Sequence, residues 1–258
     1  MFDRKKAEDV FRNYAAAYDA ADPKIALKIK HTFRVAELSE RIAKSLALDE
    51  ADRDLAWFLG LLHDIGRFEQ VRRYGTFFDR DSVDHAELGA DILFSDRLID
   101  SFPHDGLPEG WEETAETAIR CHNKLKLPEG LDERTKRFCC ILRDGDKADI
   151  FRVICEVPFA QRAGRSLAGL KQAEAASDEV MAFVYRHVCV PRAYVHTEFE
   201  ANISHCCMAF ELVFEETVRI VREQGYLAAM LGETGETALQ KQQMEELRSE
   251  LRIAGICV

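Results

Sequence analysis

At 258 residues with 47% hydrophobic side chains, the chain is long enough to bury a sizeable core, and its composition is not that of a disordered segment. Its 35 basic and 46 acidic residues give a net charge of −11, which argues against a broad basic surface for nucleic acid but leaves room for a small nucleotide. Eight cysteines without a Cys-x-x-Cys spacing, a charged N-terminus with no apolar h-region and no apolar run near 18 residues point to reduced thiols, a cytoplasmic location and no membrane partner.

Six prolines and few alternating β-branched runs predict an all-α chain. The first helix is expected from about Lys5 to Tyr18. A second runs from Pro23 to about Leu46, with Asp22 as N-cap and Pro23 at N1. A third, started by Asp49, spans about Glu50 to His63. Residues Arg67 to Asp81, rich in Arg, Asp and aromatics, read as a loop. Further helices are expected at Val83–Phe94, Glu112–His122 and Glu133–Ile154, punctuated by Gly106-Leu107-Pro108-Glu109-Gly110 and Pro128-Glu129-Gly130. The last hundred residues read as helices at Ser177–His187, Tyr194–Gln224 and Ala238–Arg252, with a loop at 232–237. In the middle one, Phe199, Ile203, Cys207, Phe210, Phe214 and Val218 recur at i+3/i+4 spacing and mark a buried stripe. That stripe packs on the preceding bundle or makes a subunit contact, so a homo-oligomer is compatible with it. No Gly-, Ser- or Pro-rich linker divides the chain, and a single α-helical domain over 1–258 is expected.

The chemistry concentrates at Leu61-Leu62-His63-Asp64-Ile65-Gly66. Ala56, Phe58, Leu59, Leu61 and Leu62 call for burial, so Asp64 ends an interior helix. An ionised carboxylate there costs several kcal/mol unless a cation or donors compensate it. Gly66 suits the residue just past a helix end, where the last carbonyls add a negative pole. A metal ion answers both problems; neighbouring side chains that satisfy a core His and Asp are the alternative. His31, His85, His122 and Asp146 each stand beside hydrophobic helix-forming sequence as well. His104-Asp105, in a turn-like Phe-Pro-His-Asp-Gly context, reads as surface loop, and His187, His196 and His205 do not share a helix face.

In order and context, His31, the pair His63-Asp64 and Asp146 resemble the HD superfamily of metal-dependent phosphohydrolases, over about residues 20–155. His85-Ala86-Glu87-Leu88-Gly89 and His122 resemble the two further histidines of its binuclear members. The resemblance implies an HD-type helical bundle with a helical C-terminal extension from about 156 to 258. It also implies a site for two divalent transition metals, with Asp64 bridging and His31, His63, His85, His122 and Asp146 as terminal ligands. Mixed imidazole and carboxylate donors suit Fe, Mn, Co, Ni or Zn. The implied reaction is hydrolysis of a phosphate ester or anhydride in a small phosphorylated substrate such as a nucleotide. Asp64 and Arg67 are the catalytic candidates, and Arg34, Arg67 and Lys147 the phosphate-binding ones.

Three features depart from the family pattern. Arg67 stands where many catalytic members carry Lys. Asn123 follows His122 where the Gly-Tyr-Pro phosphodiesterase branch has a second His, which argues against cyclic dinucleotide hydrolysis. Gly145 precedes Asp146 where Ala is usual, leaving Asp144 as a rival ligand. A di-iron oxygenase of the same superfamily and a non-catalytic nucleotide sensor are the rival functions.

Overall fold

Short acidic side chains start the first three helices. Asp3 accepts from the Lys6 amide, Asp22 from Lys24 and Asp49 from Asp52, each relieving an amide that the first turn leaves unpaired. In the computed structural model, residues 1–157, 173–232 and 235–256 are described; the start of the C-terminal extension and Glu233-Thr234 of the expected 232–237 loop lie outside them. The described residues are helical and contain no β-strand, so the all-α expectation holds. By its contacts the chain falls into two compact units, one ending at Asp149 and the other beginning at Ile150 among the described residues. No helix among the described residues is long and apolar enough to cross a membrane.

The first unit holds α1 (Arg4–Ala15), α2 (Pro23–Ser45), α3 (Glu50–Leu62), α4 (Ile65–Tyr74), α5 (His85–Ala90), α6 (Trp111–Cys121) and most of α7 (Glu133–Glu156). Every residue of α3 from Asp54 to Leu62 is buried. It is therefore the central helix, and Asp54 within it is held by Arg4 at 2.6 Å. The helix α2 packs closely along it because Gly60 has no Cβ; one placed there would stand 2.5 Å from Ala36 Cα.

Two sequence expectations fail in this unit. Residues 67–81 are not all loop. Phe68, Glu69, Gln70 and Val71 are buried in a new helix, α4, which stops at Gly75 with φ +66. Burying Phe68 contributes about 2–3 kcal/mol, enough to favour the helix over a loop. Gly66, for its part, is not a helix-ending residue; it is the second residue of α4. It is small because a Cβ there would lie 2.2 Å from the His85 carbonyl oxygen and 2.6 Å from the Gly89 amide. The α4–α5 crossing thus uses Gly66 and Gly89 together, which explains the Gly four residues after His85.

In the second unit lie α8 (Asp178–Tyr185), α9 (Glu198–Cys207), α10 (Glu215–Gln224), α11 (Tyr226–Gly232) and α12 (Ala238–Ile253). Its core includes Val180, Val184, Ile203, Cys206, Leu247 and Leu251. The helix expected over Tyr194–Gln224 is in fact two. Thr197 starts α9 with a capping box to Glu200, and a 3-10 turn at Met208–Glu211 followed by extended residues ends it before α10. Ile203 and Cys207 of the expected stripe are fully buried, whereas Phe199, Phe210 and Phe214 are only half-buried.

Candidate metal centre

Both central histidines stand where a helix stops. His63 is the C-cap of α3 and His122 the C-cap of α6. At such an end the last carbonyls have no amide partner. His63 Nδ1 bonds the Gly60 carbonyl at 2.7 Å and His122 Nδ1 the Ile119 carbonyl at 2.7 Å. A carbonyl only accepts, so each Nδ1 carries the proton and donates. In the neutral rings Nε2 then presents a lone pair inward.

The other two rings are oriented by carboxylates. His31, on α2, sets Nδ1 at 2.6 Å from Asp149 Oδ2, while Arg34 grips the same carboxylate with Nε at 2.5 Å and Nη2 at 2.9 Å. His85, the first residue of α5, sets Nδ1 at 2.7 Å from Asp79 Oδ2, and Arg67 holds Asp79 Oδ1 at 2.8 Å. Each of these histidines is thus braced by an aspartate that is itself held by an arginine, the arrangement that fixes ring orientation and raises basicity in metal sites.

Asp64 stands between the two groups. It occupies the N-cap position of α4, but its side chain caps nothing. The restarted helix therefore offers a positive pole beside the carboxylate, offsetting the negative end of α3. Asp64 Oδ2 lies 3.5 Å from His31 Nε2 and 3.3 Å from His63 Nε2. Oδ1 lies 3.6 Å from His85 Nε2 and 3.9 Å from His122 Nε2. Asp146 Oδ1, from α7, joins the first group at 3.0 Å from His31 Nε2 and 3.8 Å from His63 Nε2. Ligand atoms of His31, His63 and Asp64, and again those of Asp64, His85 and His122, fall within 4.8 Å of one another. All six predicted ligand residues converge here.

Gly145 is explained by the same helix. A Cβ there would sit 2.7 Å from Ser39 Oγ, so its absence lets α7 approach α2 and carry Asp146 to His31. The rival, Asp144, is fully buried in the same helix, two residues from the one that enters the cluster.

The electrostatics of this buried cluster are those of a cation site. The nitrogen pairs His31–His63 and His85–His122 approach to 3.3 and 3.0 Å through Nε2. Two facing lone pairs repel unless a proton or a metal lies between them. Burial, with His85 and His63 nearby, pushes His122 down to about 3, so it supplies no proton at neutral pH. Burial and Arg67 lower His85 as well. His31 is opposed by burial and by Lys28, yet its bonds to Asp146 and Asp149 hold it above the usual histidine range. Asp64 is buried, but Lys28, His63 and Arg67 keep it ionised well below the carboxylate range, and Asp146 is likewise lowered by its bond to His31 and by His63. Imidazole nitrogens and ionised carboxylates aimed at common points fit divalent transition metals.

Of the expected phosphate-binding residues, Arg34 is engaged with Asp149, Arg67 with Asp79, Gln70 and the Phe77 carbonyl, and Lys147 is buried. His104 is exposed and stacks on Trp111, as a surface residue should. Sequence reasoning passed over Lys28, Asp79 and Asp149. Lys28 and Asp149 lie three residues from His31 and Asp146 on the same helix faces, a spacing that solvated helical residues share. Asp79 sits in a 3-10 turn with no periodicity to flag it.

A family model of the HD domain matches residues 29–151, the stretch that contributes all six clustered His and Asp residues. The chain carries an HD domain. No curated protein and no solved structure matches the chain significantly. The HD superfamily consists mostly of metal-dependent phosphohydrolases, and the His/Asp groups of this HD domain can hold metal ions.

Proposed function

We propose that this HD domain is a metal-dependent phosphohydrolase that holds two divalent transition metals and acts on a nucleotide or another small phosphate ester or anhydride. What supports two ions over one is Asp64, whose two oxygens face different histidine pairs at 3.3–3.9 Å. His31, His63, Asp146 and Asp64 Oδ2 would hold one ion, and His85, His122 and Asp64 Oδ1 the other. When bound, such ions lower the pKa of a water they ligate and offset charge on the phosphoryl oxygens. The chain's own part is to hold four imidazoles turned so that each Nε2 faces the cluster. Two helix ends and the aspartates Asp149 and Asp79 do this. Arg34 and Arg67 act mainly by holding those aspartates.

The test is elemental analysis of protein purified without chelators, run beside a His85→Ala variant, followed by a panel of nucleotides, dinucleoside polyphosphates and generic phosphoesters. Two metals in the wild type, fewer in the variant and metal-dependent turnover are expected. Less than one metal in the wild type, or the same content in the variant, overturns the binuclear reading. Bound metal with no turnover on any compound overturns the hydrolase reading.

A further inference from the structure

The basic residues around the cluster differ in what metal loading would do to them. Arg34 is paired with Asp149 and Arg67 with Asp79, and both carboxylates also accept a histidine Nδ1–H. Those partners lie behind the rings and remain available when Nε2 atoms take a metal. Lys28 is placed differently. Its Nζ donates to Asp64 Oδ2 at 2.5 Å, and it has no other hydrogen-bond or ion-pair partner among the described residues. That oxygen is the one facing His31 and His63, so a metal there competes with the ammonium for the same electron pairs. A metal bound there would leave the Lys28 Nζ–H donors without their acceptor.

A second cation stands beside it. The Lys28 ammonium lies 5.4 Å from the centre of the Phe77 ring, and the Arg67 guanidinium lies 5.5 Å from the same ring. The Arg67 Nε is buried without a hydrogen-bond partner and lies 3.5 Å from Asp64 Oδ1. Two N–H donors therefore flank the Asp64 carboxylate, one beside each oxygen, and neither has a hydrogen-bond acceptor that metals would leave in place. Lys28 has the flexible stem needed to swing off Asp64 while staying at the site.

Resting on the phosphohydrolase reading above, we infer that Lys28 is the residue that positions the substrate, holding an oxygen of its phosphoryl group with the Arg67 Nε–H as second donor. Removing Lys28 then has two effects of opposite sign. The competitor for Asp64 disappears, so metal binds more tightly. The anion partner also disappears, so phosphate binds more weakly, by about ten- to a hundredfold for one charged hydrogen bond. A merely structural role would weaken both.

The experiment uses the full chain, with Lys28→Met, Lys28→Gln and Lys28→Arg. Mn2+ affinity is measured by competition with a chelating dye, and inorganic phosphate is titrated calorimetrically into the Mn2+-loaded proteins. Expected are tighter Mn2+ and tenfold or weaker phosphate binding in Lys28→Met and Lys28→Gln, with Lys28→Arg restoring most of the phosphate affinity. If Lys28→Met does not fold, Lys28→Gln decides. Equal phosphate affinity in the wild type and the neutral variants overturns the role of Lys28 and leaves the hydrolase reading standing. A loaded wild type that neither binds phosphate nor hydrolyses any phosphate compound overturns both.

Discussion

Gly66→Ala is the most exacting test of how packing builds the second half of the site. The added methyl would start 2.2 Å from the His85 carbonyl oxygen, 2.6 Å from the Gly89 amide and 2.9 Å from Gly89 Cα. Ordinary contact begins near 3.4 Å, so α5 must retreat from α4 by about 1.2 Å. All three atoms are backbone, and no rotamer change relieves them. Overpacking of this kind costs about 3 kcal/mol, at the upper end of its usual range. Replacing a helical Gly by Ala returns about 1 kcal/mol. The net loss is about 2 kcal/mol. The larger effect falls on geometry, because metal–ligand distances tolerate only about 0.2 Å. His85 opens α5, so its Nε2 would leave the Asp64 Oδ1 side, while the group of His31, His63 and Asp146 on α2, α3 and α7 stays in place. Urea unfolding should give the net loss, and elemental analysis should give one metal per chain instead of two. Gly75→Ala is the control: its surroundings are open but its φ is +66, so it should cost about 1 kcal/mol and leave metal content unchanged. A Gly66→Ala protein that keeps wild-type stability and both metals would refute this account of the α4–α5 contact.

Three further outcomes are expected. Chelation should lower the melting temperature of the wild type and barely move that of Asp64→Ala, because metal stabilises only the folded site; His104→Ala should respond like the wild type, and an equal fall in Asp64→Ala would place the metal elsewhere. Asp149→Asn and Asp79→Asn should each weaken metal binding by about ten- to a hundredfold, the first acting through His31 and the second through His85; titrations that cannot tell the two variants apart would contradict separate braces. His122 titrates near 3 when folded and near 6.5 when unfolded, so its contribution is complete above 6.5 and is lost as pH falls from 6.5 toward 3. Metal-free protein should therefore lose up to about 4–5 kcal/mol across that window, a decline that His122→Asn flattens; an equally steep decline in the variant would assign it to other groups.

The clustered residues were legible in the sequence because each is a polar residue embedded in apolar helical sequence, where burial without a partner is costly. His63-Asp64 and His122 were legible for a second reason, since helices end there. The braces were harder to see. Asp149 shares a face with Asp146, but nothing local distinguishes it from a solvated helical Asp. Asp79 matters only because the chain folds back between α4 and α5, a tertiary fact. The misreading of Gly66 came from treating glycine as a stop signal where the structure uses it for helix contact. Burial of Phe68, Gln70 and Val71 likewise overrode the polar look of residues 67–81. The split between α9 and α10 was signalled by Thr197 and Glu200, yet the apolar spacing read straight through it.

The wiring of the four rings has a consequence for mutation. His63 and His122 lean on main-chain oxygens of their own helices, and no side-chain substitution can delete those acceptors. Their tautomers are in effect hard-coded. His31 and His85 depend on Asp149 and Asp79, which are ordinary, replaceable side chains. Each half of the centre thus has one fixed ring and one adjustable ring. On the proposed two-metal reading, a single codon change at Asp149 or Asp79 would retune one half without changing any residue that faces the cluster.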